Sequence, residues 1–233
     1  GTIVKMKSPL GVYLAVLIRE VGDYVRGENI RQSSERAHTV LSQCLEAVIH
    51  AEDESVLLRE ICRIAVETQG YSFAWVGYAL EDEARTVEPQ AWAGTETDYL
   101  SRIHVSWADN EYGYAPAGRA IRFGEPQVFH NVARNPDFAT WRKLALERGF
   151  YVCASFPLRL SDSVLGALTL FSQEDAFDDK EVELLSKLAD NLAFGIETIR
   201  IRRQRDEDAA RLQQRTYTLN KRLKELNLLS TLN

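Results

Sequence analysis

The chain has 233 residues, 45% hydrophobic and 27% charged, which excludes disorder by composition and allows one or two domains with real cores. A net charge of −6 argues against a nucleic-acid partner, which needs a basic face. Three widely spaced cysteines, Cys44, Cys62 and Cys153, exclude a disulfide scaffold; the longest apolar run, Leu10 to Ile18, is too short to span a bilayer, and no signal peptide is visible. The composition therefore reads as a cytoplasmic chain with no direct membrane contact.

Residues 1–32 do not read as a domain. Thr2 to Lys7 and Val12 to Val21 form two candidate strands around the turn Ser8-Pro9-Leu10-Gly11. From Ser33 the pattern becomes helical, with Ala37, Val40, Leu41, Cys44, Leu45, Val48 and Ile49 on one apolar stripe. A second helix runs from about Ser55 to Gln69, with Leu57, Ile61, Ile64 and Ala65 inward, Gly70 as its stop and Glu52, Asp53 and Glu54 at its positive end. Cys44 and Cys62 fall on the apolar faces of these helices and read as core residues.

Tyr71 to Leu80 is apolar on both faces, as a strand covered on either side must be. Arg85 to Ala93 returns beside it, and Pro89 marks an edge or a bulge, because proline cannot donate to a ladder. Thr97 to Ile103 predicts one short helix. His104 to Ala115 is a loop carrying Trp107, Tyr112 and Tyr114. Pro116 then opens a helix that Gly124 stops, Gln127-Val128-Phe129 is a short strand, and Asn131 to Asp137 is a turn-rich loop ending in an N-cap. A further helix to Gly149, a strand from Phe150 to Phe156 and a central strand from Val164 to Ser172 follow, joined through Ser161-Asp162-Ser163. Gly166 leaves room for a close neighbour opposite.

The last helix has a complete start: Asp178 caps, Glu181 reaches back, and Phe177 with Val182 supplies a hydrophobic staple. Nothing stops it firmly before about Ser230, a length of roughly 75 Å at 1.5 Å per residue. Leu185, Leu192 and Ile199 repeat by heptads, as do Leu212, Leu219 and Leu226, and the two sets are out of phase across Arg200 to Ala210. A stripe this long needs a partner helix. The basic run Arg200, Arg202, Arg203 and Arg205, followed by Asp206-Glu207-Asp208, reads as ion pairing along the helix surface.

The order of parts from Tyr112 to Phe156 resembles the GAF domain, a small-molecule-sensing family. Ala115 to Ala120 stands where the family carries a Gly-x-x-Gly-x-Ala turn, with Ala115 departing from glycine. Val128 to Asn131 matches its strand ending in Asn or Asp, and Asn135-Pro136-Asp137-Phe138 its next turn. The resemblance spans about residues 35–200 and implies an α+β fold: an antiparallel sheet of five or six strands, helices on its faces, and long N- and C-terminal signalling helices. The end of the 1–32 extension resembles the last strand of a PAS domain. The division is then an extension (1–32), a sensory domain (33–200) and a coiled-coil helix (201–233) leading to an output domain outside this chain, a histidine kinase or cyclic-di-GMP enzyme by family analogy. The partner implied is a second copy, in a parallel dimer through residues 33–50 and 178–230.

No zinc spacing, phosphate loop or nucleophile elbow is present. The GAF-type methionine sulfoxide reductases need several cysteines converging on the pocket, and Cys153 alone is placed there. It also lacks the following His of bilin-attaching relatives, and the nearest match to the family's cyclic-nucleotide signature, Phe177 to Glu181, is a helix cap. His104 and His130 are read either as haem ligands or pH sensors or, more simply, as surface residues. Trp75, Trp107, Tyr112, Phe129, Trp141, Tyr151 and Cys153 are the residues expected to wall a cavity for a small apolar or aromatic ligand fixed by Asn131 or Ser155; the alternative is that they only pack a closed core. The sequence names neither ligand nor cofactor. Its function is read as sensing and signal relay, with a ligand-free dimerisation spacer and a thiol redox enzyme as the alternatives.

Overall fold

The computed structural model describes residues 39, 41–67, 71–94, 98–173 and 176–230, of which 221–230 are described only by their helical path. The strands and PAS-like tail expected within residues 1–32 lie outside them.

A five-stranded antiparallel sheet organises the chain in the order β2-β1-β5-β4-β3, from β1 (Phe73–Ala79), β2 (Val87–Gly94), β3 (Gln127–Phe129), β4 (Val152–Arg159) and β5 (Val164–Ser172). The three inner strands are apolar on both faces because each face carries its own core. Ala74, Val76 and Tyr78 of β1, Ala154, Phe156 and Leu158 of β4, and Leu168 and Leu170 of β5 face one core. Phe73 and Trp75, Cys153, Ala167 and Phe171 face the other. This is the period-two alternation of a strand with both sides buried.

Helices α1 (41–50), α2 (Glu54–Glu67) and the start of α5 (Asp179–Ser230) cover the first core. Asp53 starts α2, its Oδ1 accepting from the Val56 N–H at 3.0 Å. Cys44 and Cys62 are buried in this core, as their helix faces predict, whereas Ile49, expected on the α1 stripe, is exposed. The second core is covered by α3 (Pro116–Phe123), α4 (Arg142–Leu146) and the segments between. Pro116 opens α3 and Gly124 closes it in the left-handed conformation, φ +67°, its N–H donating to the Ala120 carbonyl.

Pro89 satisfies both of its readings: β2 is an edge strand, and its register with β1 shifts between Val76 and Gly77, opposite Ala91 and Pro89. Two helix expectations are corrected. Of the helix expected over Thr97 to Ile103, the described residues 98–103 hold one 3-10 turn, Leu100–Arg102. The segment to Gly149 is broken into a 3-10 turn, Pro136–Phe138, and the five-residue α4. The cap of that turn is Asn135, whose side chain accepts from the Asp137 N–H, while Asp137 itself takes the Arg119 guanidinium at 2.6 Å. The break ends at Trp141, the N-cap of α4, which sends its indole N–H to the His104 carbonyl at 3.0 Å.

Helix α5 is 52 residues long, about 78 Å at 1.5 Å per residue. Its cap forms with one change: Asp178 accepts from the Glu181 N–H, but Glu181 reaches back to the Phe177 N–H and also accepts from the Tyr71 hydroxyl at 2.5 Å. Leu185, Leu192 and Ile199 are buried against the domain's own sheet and helices, so the stripe expected to seek a partner is used internally. From 201 to 220 every residue is exposed.

Candidate functional site

The site lies in the second core, between the sheet and the segments that cover it. One rung of the sheet runs Gln127, Ser155, Thr169, Trp75, Trp92 across all five strands. It places two hydroxyls and an indole at the floor of an otherwise aromatic core. Ser155 and Thr169 are buried and bonded to each other at 2.8 Å. A cavity of about 20 Å³ opens above this rung, lined by Trp75, Tyr99, Phe138, Trp141, Cys153, Thr169 and others, with Ala115 to Ala117 at the start of α3 on its wall. That is room for about one water.

Of the nine residues expected to bind a ligand, Trp75, Trp141 and Cys153 line this cavity. Ser155 reaches it through its bond to Thr169. Phe129 packs in the same core against Phe138, 6.2 Å between ring centres. Trp107 packs at the core's margin, its indole N–H donating to the Leu80 carbonyl under the Arg85 guanidinium. The other three lie away from the cavity lining. Tyr112 is 39% exposed and packs edge-on against His104. Tyr151 is 49% exposed, although its N–H donates to the Ser172 carbonyl of β5 at 3.1 Å. Asn131 is exposed and closes its own loop, its Oδ1 accepting from the Arg134 N–H at 3.0 Å. A residue beside a turn satisfies the turn before it serves a cavity.

Tyr99, Phe138, Thr169 and Phe171 were not anticipated. Thr169 carried a usable signal, a single hydroxyl inside the apolar run Val164 to Phe171 on the same parity as the cavity face. Tyr99 and Phe138 did not, since loop segments place them.

The aromatic loop is held from α3. Arg122 donates to the carbonyls of Trp107, Ala108 and Gly113 at 3.2, 2.8 and 3.2 Å. Gly118 lies so close beneath the loop that a Cβ there would stand 2.2 Å from the Ser106 carbonyl oxygen.

Chemically, the cavity offers donors in an apolar wall. Burial pushes the Cys153 thiol well above its usual range, and no thiol stands beside it, because Cys44 and Cys62 belong to the core across the sheet. A protonated thiol is a poor nucleophile. Burial also pushes Cys44 up to about 12. His104 and His130 are both exposed, away from the cavity. No cluster of three or more His, Cys, Asp or Glu residues that would hold a metal exists among the described residues, and no described helix is long and apolar enough to cross a membrane.

The family model of the GAF domain matches residues 51–197. The chain belongs to the GAF domain family. No curated protein matches it. Among solved structures, the GAF domain of a phosphoenolpyruvate-protein phosphotransferase from Coxiella burnetii is similar at 17% identity and TM-score 0.60, over 73% of this chain and 98% of that one. The free methionine-R-sulfoxide reductase from Neisseria meningitidis, in complex with its substrate, is similar at 19% identity and TM-score 0.57, over 70% of this chain and 90% of that one. At such identities these likenesses speak to the fold. The GAF match ends at Glu197, just before α5 leaves the first core at Ile199.

Proposed function

We propose that this GAF domain is a regulatory module that works as a parallel dimer and passes the state of its cavity along α5 to an output domain such as a histidine kinase. The observation that carries the reading is the division of labour along α5. Its first turns build the domain's own core with Phe194 on their outer face, and the remainder presents Ile201, Leu212 and Leu219 to solvent. At 3.6 residues per turn these four fall within about 20° of one line, in heptad, hendecad and heptad steps. A line of large apolar side chains on a free helix is a seam for a second copy, and Ile49 at the end of α1 offers further apolar surface. The mechanism is a population shift, in which occupancy favours one packing of the cover, and α2, clasped to α5 by Glu54 and Arg200, helps set how the helix leaves the domain.

Analytical ultracentrifugation tests the dimer. Wild type is expected to sediment as a dimer, and the double variant Leu212→Glu, Leu219→Glu as a folded monomer. A monomeric wild type at tens of micromolar would sink the reading.

A ligand-free spacer is the second reading, favoured by a cavity with room for about one water. The reductase reading loses ground to the protonated, isolated Cys153 thiol.

A further inference from the structure

We infer that the cavity is a seat for a small uncharged molecule whose carbonyl oxygen is bonded by Trp75 and Tyr99 and whose apolar body lies beneath the 136–146 cover. This deepens the sensory reading above and rests on it.

An unmet indole donor and a buried phenol line one space. Trp75 is 2% exposed, and its indole N–H has no hydrogen-bond partner among the described residues. Tyr99 is 1% exposed, packs edge-on against Phe150 and Phe171, and brings a phenol to the same cavity. Both residues line the cavity. Burying a donor without an acceptor forfeits its hydration and returns nothing, so the Trp75 indole calls for an acceptor in the cavity.

An indole N–H can only donate, so the occupant must accept. The Ser155–Thr169 hydroxyl pair uses one of its two hydrogens internally and has the other to give. A carbonyl oxygen, with two lone pairs, matches such a set. A carboxylate does not, because no Lys, Arg or His lines the cavity to offset a buried charge.

The volume now present takes the oxygen, and the body enters by displacing the cover. That cover pairs with no strand: it is held by the Trp141 indole on the His104 carbonyl and by the Arg119–Asp137 ion pair. Its apolar underside, Phe138 and Trp141, suits a ring or a short hydrocarbon.

The test is isothermal titration of the full chain with acetophenone, ethylbenzene and benzoate, repeated on Trp75→Phe and Tyr99→Phe. Acetophenone is expected to bind at least about tenfold more tightly than either of the others, and each variant to weaken it about fivefold, the size of one hydrogen bond. Circular dichroism establishes that the variants fold; should Trp75→Phe fail, Tyr99→Phe carries the comparison. Equal affinity for ethylbenzene, undiminished binding by the folded variants, or no binding of any probe would overturn the proposal. A wild-type dimer that ignores all three probes removes this inference and leaves the spacer; a monomer that binds acetophenone keeps the site and removes the relay.

Discussion

Gly166 lies where β5 crosses β1, and a Cβ placed there would stand 2.0 Å from the Gly77 carbonyl oxygen and 2.9 Å from the Tyr78 Cα. Both are backbone atoms of an inner strand, so no rotamer change relieves the clash. Gly124 is the contrasting case: its φ of +67° strains any L-residue, but the nearest atom to an added Cβ is Val164 Cγ2 at 3.8 Å. Gly166→Ala should therefore cost about 3 kcal/mol or prevent folding, whereas Gly124→Ala should cost about 1 kcal/mol from the left-handed backbone alone. Urea unfolding of the two variants measures both. A Gly166→Ala loss no larger than that of Gly124→Ala would refute the close strand crossing.

Between elements, the principal tie is the cluster of Glu54 on α2, Arg200 on α5 and Tyr78 on β1. Arg200 grips both carboxylate oxygens of Glu54 at 2.7 and 2.6 Å, and the Tyr78 hydroxyl donates to one of them at 2.7 Å. The Arg200 guanidinium first, and the Tyr78 hydroxyl after it, hold the Glu54 carboxyl below the usual glutamate range. The folded state thus binds that proton less readily than the unfolded chain. The contribution to stability is complete above the ordinary glutamate value of about 4.3 and is lost as the pH falls through the lowered folded value. Glu54→Gln should accordingly be less stable than wild type at neutral pH, with the gap closing in acid as wild-type Glu54 takes up its proton. Urea unfolding of both proteins across the acid range checks this, and a gap that widened in acid would contradict it.

At the scale of the molecule, α5 joins a folded domain to a bare helix, and the junction lies at Ile199 and Arg200. Because residues 201–220 are exposed throughout, they add nothing to either core. Truncation after Arg205 should therefore leave the near-ultraviolet circular dichroism of the aromatic core unchanged, lower the helical signal, and yield a monomer by sedimentation. Loss of the aromatic signal would mean that the free part of α5 supports the domain. The sequence placed a phase break across Arg200 to Ala210 by joining two heptad sets. The structure gives those sets different tasks, the first facing the sheet, while the exposed line from Phe194 to Leu219 passes through the same segment without a break.

What the sequence determined by itself was whatever arises within a few residues along the chain. Pro116 and Gly124 bound α3, Asp178 starts α5, Pro89 marks an edge and a bulge, and the double-sided apolar runs become the three inner strands, because caps, turns and periodicity are local physics. Segment order and the turns around Asn135 were enough to identify the family. Only the tertiary structure decided which aromatic residues meet. Trp75, Trp141 and Cys153 converge through strand register and the break ending at Trp141, whereas Tyr112, Tyr151 and Asn131, equally plausible in one dimension, face solvent or bond to their own loops. Tyr99 and Phe138 enter the site from loop segments with no pattern that marks them as its walls. The reason is that a cavity is what long-range packing leaves unfilled, and a local pattern records which residues are apolar but not which of them stop short of touching.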